Sequence, residues 1–289
     1  MVICKEVKKV FRKRAQMAKR DKNVKTTPLF KWVDRHRAIG LHEIIPSPQI
    51  MAYRNKVEFT FGHRIEEAPA ADGDGTADGA EEQRPPPKKI PAVGFTVAGW
   101  DGPVTSPHPC PNVPSEFVGV ADLLDGFLAG SPVPPYDPTT HGGCWRTVAV
   151  RLSVRTRQCM AVVQHAPWGT DGAEGAAEFE KEKARLVSVL TGAPLPVPPR
   201  PTVPAGTGWT EGDAGSRPRV SVTSVFFQEY GGLSVPPPEH PVQHAFGLEH
   251  LEERLGGCTF QISPGAFFQV NTEGAEKLYG VVTEAVAEG

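Results

Sequence analysis

No apolar run in the 289-residue chain approaches the roughly 18 residues needed to span a bilayer. No signal peptide stands at its start, and no C-x-x-C pair occurs, which sets aside zinc ribbons and thioredoxin-type redox motifs. The five cysteines (Cys4, Cys110, Cys144, Cys159 and Cys258) are odd in number and widely scattered. That pattern fits a reducing compartment better than a disulfide framework. His141 and Cys144, with Cys159 further on, have no second half to complete four ligands, so no metal is expected. Gly142-Gly143 and Gly231-Gly232 read as turns, because neither lies between a strand and a helix N-terminus where a phosphate cradle belongs. The expectation is an intracellular protein, cytoplasmic or nuclear, monomeric and without a membrane partner.

Charge is nearly balanced overall, at −2, but unevenly placed. Residues 1–45 hold thirteen Lys/Arg against four Asp/Glu, and the remainder eighteen against twenty-nine. Ile3, Val7, Val10, Phe11 and Ala18 recur at helical spacing with Lys8, Lys9, Arg12, Lys13 and Lys19 between them, which predicts a basic amphipathic helix. Such an arm suits contact with a polyanion; a solvated helix face is the plainer reading of the same residues. Pro46 and Pro48 end it.

The thirty Gly and thirty Pro concentrate in two stretches, at about 66–89 and 193–218. These are expected to be disordered insertions, since they hold too little apolar surface to offset ordering entropy. Between and around them the periodicity is that of strands. Tyr53, Asn55, Val57, Phe59 and Phe61 fall on an inward face, with Arg54, Lys56, Glu58 and Thr60 outward. Ile90 to Trp100 resumes as a strand. A second alternation puts Val148, Val150, Leu152 and Val154 inward and Trp145, Thr147, Arg151 and Ser153 outward. Thr156-Arg157-Gln158 then turns the chain into Cys159–Gln164, and Val220 to Phe227 reads as a further strand. Phe117, Val120, Ala121, Leu124, Phe127 and Leu128 mark a helix with Ser115 as its N-cap. Phe179, Leu186, Val187 and Leu190 mark another. A third opens at Thr272, with Ala275, Leu278, Tyr279, Val282 and Val286 inward and Glu273 and Glu276 where the helix dipole favours negative charge. The fold class is therefore α+β: a basic helical arm over 1–45, a central β-rich mixed domain over 46–262, and from 263 the opening of a further domain. A helix announced so late in the chain predicts the front part of a larger protein.

Three segments stand out: Pro46-Ser47-Pro48-Gln49 with Tyr53 to Phe59; Tyr136-Asp137-Pro138 with Trp145 and Val150-Arg151; and, most specific, Phe260 to Tyr279, which contains Ile262-Ser263-Pro264-Gly265-Ala266-Phe267-Phe268-Gln269-Val270-Asn271-Thr272. They resemble one family, the S-adenosylmethionine-dependent RNA uracil-5-methyltransferases, and most closely its eukaryotic tRNA-acting members. Together they cover most of residues 40–289, leaving the two insertions as departures. The resemblance implies that residues 263–289 begin a Rossmann-like methyltransferase domain whose remainder lies beyond Gly289. In that family a cysteine thiolate adds to uracil C6, C5 takes the methyl group of S-adenosylmethionine, and a carboxylate removes the C5 proton. The nucleophile, the base and the cofactor loop are expected beyond Gly289, so no catalytic residue is assigned here and the chain alone is expected to be inactive. Cys258, ahead of the motif, is expected to pack in its strand as a small apolar residue.

By the same resemblance Gln269 contacts the cofactor, S-adenosyl-L-methionine; the plainer reading is a glutamine satisfying local backbone. Arg54, Lys56, Arg151 and Arg155 suit phosphate contacts, or an ordinary solvated strand face. Of Phe267 and Phe268, at least one is expected to pack in the core, because neighbours in an extended stretch point opposite ways; Phe268 is the candidate for RNA contact, on a base taken out of the stack. Trp145 suits either a stacking platform or packing between domains. The partner is RNA, by resemblance tRNA and its T-loop uridine. A ribosomal RNA target, a non-catalytic RNA-binding module and a protein-interaction scaffold are the alternatives.

Overall fold

The structure is a computed structural model that describes residue 13 and residues 43–66, 87–97, 99, 101–168, 172–192, 220–232 and 236–287. The chain divides into two units, residues 1–46 and 47–289. In the first, Lys13 is helical and exposed; the rest of the expected basic helix and the interiors of both expected insertions lie outside the described residues.

The second unit is a mixed α+β fold. Its strands are β1 (Lys56–Glu66), β2 (Lys88–Thr96), β3 (Val104–Thr105), β4 (Trp145–Leu152), β5 (Cys159–His165), β6 (Val222–Glu229), β7 (Gln243–Gly247), β8 (Leu251–Leu255) and β9 (Cys258–Ile262). The helices are α1 (Ser115–Ala129), α2 (Ala173–Thr191) and α3 (Thr272–Ala287). Seven strands form one sheet in the order β3-β2-β1-β4-β5-β6-β7, and β8-β9 form a separate hairpin. Within the large sheet β5 and β6 pair in parallel and every other neighbouring pair is antiparallel.

Alternation decides which residues meet on which face. Val57, Phe59, Phe61, Val148, Val150, Leu152, Ala161, Val163, Val225 and Phe227 join Phe117, Leu124 and Phe127 of α1 and Phe179, Leu186 and Leu190 of α2 in the main core. Met160 and Phe226, one residue out of phase, point to the other face, where with Leu251 and Ile262 of the hairpin they form a second, smaller core.

Several expectations need correction. Trp145 is fully buried, not outward. In the β4–β5 ladder Trp145 and Thr147 pair with the consecutive residues His165 and Gln164, so Arg146 is an extra, bulged residue. The bulge inverts the parity and turns the indole into the main core, against Phe179 at 5.4 Å, Phe127 at 5.6 Å and Phe61 at 6.1 Å between ring centroids. Arg151 and Ser153, also expected outward, are buried because the second face is covered too. Glu66, Lys88 and Lys89, placed in the first insertion, belong to the β1–β2 ladder, where Glu66 stands opposite Lys88. Ser115 is the first helical residue of α1 rather than its cap; Pro114 holds the cap position and the Ser115 hydroxyl turns to Glu116. Cys258 is exposed at the hairpin turn. On α3 only Thr272 and Ala275 are buried, whereas Leu278, Tyr279, Val282 and Val286 are 54, 45, 52 and 76 % exposed.

Candidate functional site

Residues 263–271 run as a strap over the second face, between β9 and α3, and Ala266 and Phe268 pack on the second core. Asn55, just ahead of β1 and buried, fixes the strap. Its backbone N–H donates to the Val270 carbonyl at 2.8 Å, and its Nδ2 donates to the Gln269 carbonyl at 2.8 Å and to Thr272 Oγ1 at 2.9 Å. The strap runs into α3 through Asn271, whose Oδ1 accepts the Gly274 N–H at 2.8 Å, the bond expected of an N-cap.

Beneath this junction lies Glu253 of β8, 1 % exposed. Its carboxyl group accepts from the hydroxyls of Ser153 (3.1 Å) and Thr272 (3.3 Å) and from the backbone N–H groups of Val154 (2.8 Å), Arg155 (3.2 Å) and Arg254 (2.9 Å). One buried acidic side chain thus ties the β4–β5 turn, β8 and the start of α3 together, and its burial is tolerable because so many donors converge on it.

Not all of the sequence-predicted residues meet at the strap. Gln269 is half-buried with its carbonyl held by Asn55. Among the described residues its side-chain amide makes no hydrogen bond, which leaves a donor and an acceptor for a ligand. Phe268 is half-buried and meets Phe260 edge-on at 5.6 Å, while Phe267 is 85 % exposed; the two do point opposite ways. Lys56 stands directly opposite Arg151 across the β1–β4 ladder. The Arg151 Nη2 donates to the Ala266 carbonyl at 3.0 Å, and burial lowers its pKa below the ordinary arginine value. Arg54 Nε donates to the Lys56 carbonyl at 3.2 Å. Arg155 is ion-paired with Glu276 of α3 at 2.6 Å. The structure therefore carries Phe268 and Gln269 on one strap tied to Arg151, sets Lys56 opposite Arg151 in the ladder, and leaves Arg155 on the turn beside α3.

Sequence reading misses Asn55 and Glu253. The signal for Asn55 is a polar residue in phase with Val57 and Phe59 on an apolar face; Glu253, between two charged neighbours, carries none. His141 hydrogen-bonds Tyr136 at 2.8 Å, Cys144 and Cys159 are buried with their thiol pKa values pushed up to about 12 by desolvation, and no group of acidic, histidine or cysteine residues that suits a metal occurs among the described residues. Nor is any described helix long and apolar enough to cross a membrane.

Comparison with known proteins finds the chain similar to proteins named tRNA (uracil-5-)-methyltransferase homologs. It is 32 % identical over 248 residues to mouse tRNA (uracil-5-)-methyltransferase homolog A, covering 84 % of this chain and 33 % of that protein. It is 31 % identical over 260 residues to mouse tRNA (uracil-5-)-methyltransferase homolog B, covering 87 % of this chain and 43 % of that one. The chain thus spans well under half the length of these curated relatives. The crystal structure of Pyrococcus abyssi tRNA (uracil-54, C5)-methyltransferase in complex with S-adenosyl-L-homocysteine aligns with a TM-score of 0.49 at 16 % identity, over 84 % of this chain and 42 % of that one. No protein-family profile matches.

Proposed function

We propose that the chain supplies the RNA-binding central domain of an S-adenosylmethionine-dependent tRNA uracil-5-methyltransferase, acting on T-loop uridine, and that residues 263–289 open its Rossmann-like domain. The reading is supported by the strap, which carries Phe268 and Gln269 and is tied through Ala266 to Arg151, the residue opposite Lys56 in the β1–β4 ladder. The names of the relatives supply the reaction class. Gln269, with a free amide on a fixed backbone, is the residue assigned to the cofactor, whose role when bound is to present an electrophilic methyl group. Arg54, Lys56, Arg151 and Arg155 are assigned to RNA phosphates and Phe268 to the RNA beside the strap. The outward apolar stripe of α3 supports the domain assignment, because a helix with one apolar face ordinarily buries it against a further layer.

The test is a filter-binding and methyl-transfer assay of the 289-residue chain with tRNA and radiolabelled S-adenosylmethionine. Retention of tRNA that weakens steeply with salt, without methyl incorporation, is the expected result. Turnover by this chain would overturn its assignment as a non-catalytic part, and failure to retain tRNA even at low salt would overturn the RNA-binding role. Retention that is indifferent to salt would favour a protein-interaction scaffold.

A further inference from the structure

Arg151 is a buried cation without a counter-ion. It is 5 % exposed, its Nη2 is used by the Ala266 carbonyl, and its Nη1 is covered and has no acceptor. Among the described residues no carboxylate pairs with it, and the same holds for Lys56, its directly opposite neighbour. Two like charges facing each other across a ladder repel, and a desolvated guanidinium with a vacant N–H is costly. Buried charges in proteins are ordinarily paired. Two nearby cations are engaged with carboxylates, Arg155 with Glu276 and Arg157 with Glu116, whereas Arg54 spends its Nε on the Lys56 carbonyl.

We propose that a phosphodiester of the RNA is the missing counter-ion, held between Lys56 and Arg151, and that its arrival steadies further the strap that the Arg151–Ala266 bond already holds. This rests on the RNA-binding reading above and sharpens it, because it singles out two of four cations and gives one of them a second role. The planar guanidinium is suited to both roles, since one arm holds the strap carbonyl while the other is free for a phosphate oxygen. Because Nη1 is covered while Nη2 holds Ala266, the phosphate reaches it only as the strap moves, so RNA binding is coupled to the mobility of residues 263–271.

The experiment uses the 289-residue chain, a fluorescein-labelled tRNA T-arm hairpin and, separately, inorganic phosphate. Affinity is measured across salt, and hydrogen exchange is followed on residues 263–271. Lys56→Gln and Arg151→Gln are each expected to lower the slope of log affinity against log salt by about 0.7 to 0.9, while Lys88→Gln, an equal charge change elsewhere on the sheet, leaves it unaltered. RNA is expected to slow exchange in the strap of the wild type and not of Arg151→Gln; Arg151→Lys is expected to keep most of the salt slope and lose the slowing. Should Arg151→Gln fail to fold, half-buried Lys56→Gln carries the slope test alone. Unchanged slopes in a chain that still binds RNA would overturn the phosphate site and leave the RNA-binding reading standing. Strap protection by inorganic phosphate, without any RNA binding, would make the anion a free one and overturn both.

Discussion

The two faces of the seven-stranded sheet differ in how they are held. The face under α1 and α2 is a continuous apolar layer, with Trp145, Phe59, Phe61, Phe117 and Leu124 all fully buried. The opposite face has only a small apolar cluster, built on Met160, Phe226, Leu251 and Ile262, and relies otherwise on hydrogen bonds from Asn55, Arg151 and Glu253. Apolar packing is indifferent to direction, whereas hydrogen bonds fix particular atoms. The first face therefore supplies stability, and the second supplies placement of the strap that carries Gln269.

The strongest way to break this contrast is at Trp145. Trp145→Ala removes the centre of an aromatic cluster and should cost roughly 3–5 kcal/mol in chemical denaturation; a loss near that of a surface substitution would mean that the main core is not the source of stability. On the other face Glu253→Leu should cost about 3 kcal/mol, because five buried or part-buried donors lose their acceptor. Its distinguishing sign is accelerated hydrogen exchange at residues 269–272, which Trp145→Ala should raise only through global unfolding.

A smaller effect separates the faces by pH. His165 packs edge-on to Phe179 and Trp145 in the main core, and burial lowers its pKa below 6.5. The unfolded chain then binds the proton more readily, so stability should fall as pH drops below about 6.5 and continue to fall until the lowered folded-state value is passed. His165→Phe should flatten that part of the curve in thermal melts. The smallest effect is expected on α3: Leu278→Gln with Val282→Gln should alter stability by no more than about 0.5 kcal/mol, since both side chains are already half-exposed. A loss of several kcal/mol would show the stripe to be covered in solution, for example in a self-associated form detectable by sedimentation.

Much of this architecture was legible in the residues. Tyr53 to Phe61 alternates strictly, so the inward phase of Val57, Phe59 and Phe61 followed from spacing alone, as did the buried stripes of α1 and α2. What failed did so for identifiable reasons. Trp145 and Arg146 look like any two strand residues, and only the pairing partners reveal the bulge. Arg151 lies on a face that alternation marks as outward, and alternation cannot tell whether something distant in sequence covers it; here the strap does. The apolar spacing of α3 correctly marked one face, but spacing does not say whether a layer exists to receive it. At the site, Gln269 is proposed from the resemblance and the basic residues from their charge and strand position, while Glu253 escaped because its role depends on donors about a hundred residues away in the chain.

The parallel pairing of β5 with β6 also sets the order in which the molecule can assemble. The hairpins β1–β2, β4–β5 and β8–β9 join strands that follow one another in the chain, but β6 reaches β5 only after a crossover that carries α2. Closing so long a connection costs entropy before its contacts return any, as does the longer one that joins β1 to β4, so both of these seams form late. Weakening β6 should accordingly speed unfolding while leaving the refolding rate nearly unchanged. The kinetic lifetime of the sheet is then set by its two long-range seams, β1–β4 and β5–β6.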